Sequence, residues 1–145
     1  MQARKILLQF TVPKKGSNMT KILGLGGAGL NMLNSVIDLG FEPEHTIYID
    51  TSRNAVWASK TENFLEIGAS LFNGLGTGRN QNGGRAAAEL AESEIIKALK
   101  GADTVVILSC LSGGTGGGSI SFIAKLAIEY IGAKTIAVVT NPSEI

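Results

Sequence analysis

The chain has one cysteine, one histidine and almost no net charge, and each scarcity closes off a class of proteins. One cysteine cannot build a disulfide framework, which fits a reducing compartment and leads to the expectation of a cytoplasmic protein. Cys110 ends an apolar run and reads as a small core hydrophobe. His45 stands in a polar loop with no partner near it in sequence, and reads as a surface residue rather than a ligand. No stretch approaches the roughly 20 apolar residues of a membrane span, and the first residues lack the apolar core and cleavage site of a signal peptide. No lysine follows the glycines of residues 113–118, so they do not form G-x-x-x-x-G-K-[ST].

The net charge of +1 hides an uneven distribution. Residues 1–21 carry five basic and no acidic side chains, which leaves eight basic and twelve acidic for the rest. In the arm formed by residues 1–19, Ile6, Leu8, Phe10 and Val12 alternate with Leu7, Gln9 and Thr11, a strand pattern that Pro13 to Gly16 ends. So apolar an arm is no nucleic-acid or membrane tail. It is expected to add an edge strand, on this domain or on a partner.

Residues 20–145 are long enough and apolar enough for one packed domain. Strand patterns occur at 21–25, 46–50, 64–67, 103–109 and 134–140. Helical spacing occurs at 30–39 (closed by Gly40), 83–99 and 120–130, with a shorter helix expected from Thr51 to Lys60. Strands alternating with helices require crossovers, which are right-handed. The expected fold is therefore α/β, a Rossmann-like parallel sheet of about five strands with helices on both faces.

Three glycine clusters interrupt these elements. Residues 110–119 hold five glycines between a strand and a helix, where bare backbone N–H groups and a positive helix end can receive phosphate. Thr115 and Ser119 add hydroxyl donors there, and Thr115 is the first choice for a side-chain contact. Residues 74–80 form a second such loop. The third, Gly24-Leu-Gly26-Gly-Ala-Gly29, is a G-x-G-x-x-G, and Asp50 ends the next strand about 20 residues later, as an NAD-type dinucleotide fold requires. That motif alone is weak, and it leaves the other two loops unexplained. All three follow strand ends and converge on one sheet edge, which argues for a phosphate ligand on physical grounds.

Ser112 to Gly118 resembles the signature loop of the tubulin/FtsZ family, and residues 20–142 follow the order of that family's nucleotide-binding half, most closely bacterial FtsZ. Gly117 replaces the family's usual Ser, Ala or Thr. The resemblance implies GTP or GDP as ligand, with Mg2+ as candidate metal. It implies phosphate contacts from Gly26, Gly27, Ala28, Gly29 and Leu30, and from Gly113, Gly114, Thr115, Gly116 and Gly117. Gly76, Thr77, Gly78 and Asn80 match the loop that senses the γ-phosphate, and Pro142 closes the set. Asn31 matches a guanine-contacting asparagine and equally reads as a polar first-turn residue. Asp50 stands first in a triplet whose carboxylate is third in the family, which leaves its contacts open. Arg79 replaces a small residue and reads either as a phosphate contact or as a solvated arginine.

By the same resemblance, the chain carries a filament subunit's nucleotide face without the acidic loop that completes hydrolysis on a neighbour. It is expected not to hydrolyse GTP efficiently alone, and to engage a tubulin/FtsZ-like subunit or associate with itself, with neither nucleic acid nor membrane as partner. The competing readings are an interaction module of this fold without nucleotide, a self-sufficient GTPase, and an NAD-type domain. For the arm, deletion of residues 1–16 is expected to lower the melting temperature or abolish an association; a truncated chain that melts and associates unchanged would contradict an added strand.

Overall fold

The computed structural model describes residues 18–141. Five strands are present: β1 (Thr20–Leu25), β2 (Thr46–Asp50), β3 (Phe64–Glu66), β4 (Thr104–Cys110) and β5 (Lys134–Thr140). They form one sheet in the order β3-β2-β1-β4-β5, with every neighbouring pair parallel. Their Val/Ile/Leu-rich sequences suit strands covered on both faces. Residues 1–17 of the N-terminal arm, with its expected strand, and Pro142 lie outside the described residues.

Side-chain alternation along the central strands divides the core in two. Ile22, Tyr48, Val106 and Leu108 face α1 (Gly26–Asp38), meeting its Leu30 and Leu33. Leu23, Leu25, Ile49, Val105 and Ile107 face the other way. That second layer consists of α3 (Gln81–Leu90), α4 (Glu92–Leu99) and α5 (Gly114–Glu129), which contribute Ala87, Ala88, Ile95, Leu99, Ile123 and Leu126. A one-turn helix, α2 (Ala69–Phe72), precedes α3, framed by left-handed Gly68 and Asn73.

The strands fall where the periodicity puts them; several helix ends do not. Helices α1 and α5 start inside their glycine clusters, at Gly26 and Gly114, rather than at Leu30 and Ile120. Glycine is a poor helix former by about 1 kcal/mol per residue, so packing must override propensity here. The cause is close approach. A Cβ on Gly29 would lie 2.6 Å from the Leu108 carbonyl oxygen, and one on Gly24 equally near the Gly29 oxygen. On the opposite face a Cβ on Gly84 would run into the Gly114 carbonyl, and one on Gly118 into that of Gln81. Helices α3 and α5 thus touch backbone to backbone.

Two further expectations are corrected. The single helix over 83–99 is broken at Ala91, which leaves the helical region at φ −98° and ψ 17° and divides α3 from α4. The helix expected from Thr51 to Lys60 reduces to a 3-10 turn, Val56–Ala58. That turn is held to α1 by Asn34, whose side chain donates to the Ala58 carbonyl at 2.9 Å and accepts from the Lys60 amide at 2.9 Å.

The close helix contacts yield a stability prediction. Gly84→Ala and Gly118→Ala should each lower unfolding free energy by roughly 1–3 kcal/mol, because overpacked backbone has nowhere to move. Gly27→Ala, with nothing within 4 Å of its added carbon, should leave stability unchanged or slightly raised. Urea denaturation of the three variants checks this, and equal midpoints would contradict it.

Candidate functional site

The site forms where β1 and β4 end side by side and their helices begin. Gly26 makes the turn into α1 at φ +70°, a conformation that side-chain-bearing residues rarely adopt. A Cβ there would lie 3.5 Å from the Gly116 amide nitrogen and 3.8 Å from Thr115 Cβ, so the first turns of α1 and α5 meet. Neither helix has a side-chain N-cap or an acidic residue in its first turn. Their first amides have no acceptor within the helix, and both positive dipole ends point the same way. Helix α3 contrasts with them: Asn80 caps it by accepting the Gly83 amide at 3.0 Å.

The end of β2 supplies a polar wall. Asp50 is buried and both its carboxylate oxygens accept hydrogen bonds: Tyr48 Oη donates to Oδ2, while the amides of Thr51 (2.7 Å) and Ser52 (3.3 Å) donate to Oδ1. Burial first, and then the neighbouring carboxylate, push the Tyr48 phenol far above its ordinary range, so it stays a donor. The hydroxyls of Thr51 and Thr115, both buried, hydrogen-bond at 2.7 Å and tie this wall to α5. The loop 74–80 folds over from the other side. Its Gly76 amide donates to the Thr51 carbonyl, and its Gly74 carbonyl accepts from the Arg53 amide.

The result is a cleft of about 290 Å³ lined by backbone and short side chains. Of the residues singled out from sequence, Gly26, Gly27, Ala28, Asp50, Gly76, Thr77, Gly113, Gly114 and Thr115 line it together. Gly29 and Leu30 are buried beneath it against the sheet, and Asn31 is exposed on α1. Gly78 is exposed on its loop and Asn80 is occupied as the α3 cap. Gly116 packs over Leu25 and Ser109, and Gly117 packs against Leu111 and Gln81. Ser119, expected as a donor, is fully buried and donates to the Thr115 carbonyl within α5.

Leu25, Thr51, Ser52, Asn54 and Ala55 also line the cleft and were not singled out, and Cys110, read from sequence as a core hydrophobe, is instead half-buried in the cleft wall. For Thr51 and Ser52 a signal existed, since they directly follow a strand end on the ligand-bearing edge. Hydrogen bonds with Ser112 and then Thr140 hold the Cys110 thiol below its ordinary range. A second hollow of similar size, about 310 Å³, lies at the opposite sheet edge, lined by Lys21, Glu44, His45, Ile47, Asn63, Phe64, Leu65 and Ala98. It has no converging helix N-termini, and its lysine is committed to the Ala98 and Lys100 carbonyls at 2.7 and 3.1 Å. The anion-receptive chemistry is in the glycine cleft.

Comparison with known proteins agrees with this geometry. Residues 19–145 match the Tubulin/FtsZ family, GTPase domain. An FtsZ dimer from M. jannaschii, described as empty, superposes with a TM-score of 0.80 at 35% identity, over 89% of this chain and 37% of that one. CetZ2 from Haloferax volcanii, solved as a GTPγS-bound protofilament, gives a TM-score of 0.69 at 22% identity, over 83% of this chain and 39% of that one. TubZ of Clostridium botulinum phage c-st gives 0.72 at 20% identity, over 84% and 41%. The last two identities speak to fold alone. The chain thus spans well under half the length of these solved relatives.

The threonine pair can be tested by a double-mutant cycle. Thr51→Val and Thr115→Val should each cost roughly 1–2 kcal/mol, because each leaves a buried hydroxyl without its partner. The double variant should recover much of that loss, since two apolar groups of the same shape replace the bond. Additive losses in urea denaturation would contradict a coupled pair.

Proposed function

The chain belongs to the tubulin/FtsZ family, and on that premise we propose that its cleft binds a guanine nucleotide, GTP or GDP, by the phosphates. One observation carries this reading: the uncapped N-termini of α1 and α5 abut in a cleft walled by glycine. Amides arranged in this way receive phosphate oxygens without any lysine. Gly26, Gly27 and Ala28 would approach the phosphates from one side, and Gly113, Gly114 and Thr115 from the other. Thr77 adds a hydroxyl from the covering loop. Asn31, one turn into α1 and exposed, is the candidate for contact with the base.

The metal has a narrower role. Among the described residues no group of three His, Cys, Asp or Glu side chains could hold one. Asp50 is the only carboxylate of the cleft lining, and Tyr48 and two amides engage its oxygens. The described donors of the cleft therefore do not make a metal site by themselves, and a Mg2+ ion would be held chiefly by the phosphates. The same engagement leaves no free carboxylate among the lining residues to activate water. In this reading the cleft holds nucleotide, and hydrolysis needs an acidic group brought to it from outside. The partner we propose is a subunit of the same family, another copy or a relative, meeting the cleft face. A cytoplasmic filament system, of the kind used in cell division, is the proposed setting. Among the described residues no helix is long and apolar enough to cross a membrane.

The NAD-type reading rests on Asp50 following the G-x-G-x-x-G. An acidic residue at that place should be free to accept ribose hydroxyls, and here it is tied into its own strand end. Calorimetric titration with GTP, GDP, ATP and NAD+ separates the readings. Guanine nucleotides should bind at least roughly tenfold tighter than the others, a difference of about 1.4 kcal/mol. Gly27→Val adds a side chain whose Cβ meets nothing within 4 Å, and should abolish binding while far-ultraviolet circular dichroism stays unchanged. Equal affinity for all four ligands, or intact binding by that variant, would overturn the proposal.

A further inference from the structure

The cleft lining contains no lysine or arginine, and its single charged residue is the negative Asp50. A nucleoside polyphosphate nevertheless brings several negative charges. Two helix ends offer it only about half a unit charge each. A cation is missing from the lining, and the loop that contributes Gly76 and Thr77 to one wall carries one at Arg79.

Arg79 is exposed and sits at φ +69°. Gly76 and Gly78, beside it, have φ of +87° and +61°, so the loop runs through left-handed geometry that glycine adopts freely and arginine does not. A third glycine would be the relaxed choice. Strain retained at such a position points to work done by the side chain. The backbone of Arg79 is also firmly placed. A Cβ on the cleft residue Gly114 would lie 2.8 Å from Arg79 Cα and C, and the next residue, Asn80, is fixed as the cap of α3. The Arg79 side chain thereby leaves the backbone beside the N-terminus of α5.

The other described arginines are committed elsewhere. Arg53 pairs with Glu66. Arg85 pairs with Glu89 at 2.8 Å and lies over the Phe122 ring. Arg79 has no ion pair among the described residues. We propose that Arg79 is the phosphate-binding cation of the cleft, delivering from a strained covering loop the charge that the helix N-termini lack. This rests on the nucleotide reading above and adds a specificity to it. The more charge the phosphate chain carries, the more Arg79 contributes, so it favours GTP over GDP and both over GMP.

Arg79→Gly is the informative variant, because glycine keeps the left-handed backbone and removes only the side chain. Its melting temperature without ligand should equal or exceed that of the parent. Its affinity for GTP should fall roughly tenfold or more, the scale of a charge-assisted contact, while guanosine binding is unchanged. Its GTP affinity should also depend less on ionic strength, and Arg79→Lys should restore part of the loss. If the parent binds GTP and Arg79→Gly binds it equally, with the same salt dependence, Arg79 is a solvated surface residue and the proposal fails. Weakened binding of guanosine as well, with a lowered melting temperature, would assign Arg79 to loop structure instead. A parent chain that binds no guanine nucleotide overturns the underlying reading, and this assignment with it.

Discussion

Backbone must approach backbone more closely than a Cβ allows, and the carboxyl edge of the sheet depends on this. Gly24 and Gly29 let α1 lie against β1 and β4; Gly84 and Gly118 let α3 and α5 touch; Gly114 admits the loop at Thr77 and Arg79; Gly116 seats α5 over the Leu25 carbonyl. Each glycine costs conformational entropy on folding, roughly 0.5–1 kcal/mol relative to alanine in a helix. The return is positional. Both helix starts are drawn down onto the strand ends until their first turns meet, and that meeting creates the anion-receptive cleft. The residues that pack the domain and those that form its site are therefore neighbours in one sequence run, and in places the same residues.

Capping shows how the helix ends are apportioned. Helix α3 completes its own N-terminus with Asn80, whereas α1 and α5 have no side-chain cap. Between the two open ends, Thr51 and Thr115 bind each other, and Asp50 is held by Tyr48 and two amides. Polar groups that are satisfied before a ligand arrives need no rearrangement when it does, which is what preorganisation means energetically. The side-chain polarity of Asp50, Thr51 and Thr115 is spent on holding the cleft's shape. Backbone amides, reinforced in our proposal by Arg79, are left to meet the ligand.

How much of this was legible in the chain depended on which force decided each element. Strand positions follow from burial on both faces, and the apolar runs located all five. The parallel sense of the sheet follows from the crossovers, whereas its order, β3-β2-β1-β4-β5, came only with the structure. Helix starts at Gly26 and Gly114 were not legible, because they oppose propensity and depend on contacts with distant backbone such as the Leu108 carbonyl. The break at Ala91 has no glycine or proline to announce it. Within the site, the three glycine clusters and Asp50 could be found from spacing alone. Asn80 also carried a legible N-cap signature, which the structure bears out through its Oδ1. Thr115 could be chosen as a hydroxyl at the cleft, but its bond to Thr51 joins residues 64 apart in sequence, a pairing no local pattern encodes.

The central claim is that phosphate is received by the amides of two converging helix N-termini. Isotope-edited NMR of the nitrogen-15-labelled chain, titrated with GDP, reads those amides individually. Binding at this site predicts the largest shifts at Gly27, Ala28, Gly114, Thr115 and Gly116, with little change around Lys21, Asn63 and Phe64 at the opposite edge. Shifts concentrated at that opposite edge, or no shift of the α1 and α5 amides at saturating GDP, would contradict it.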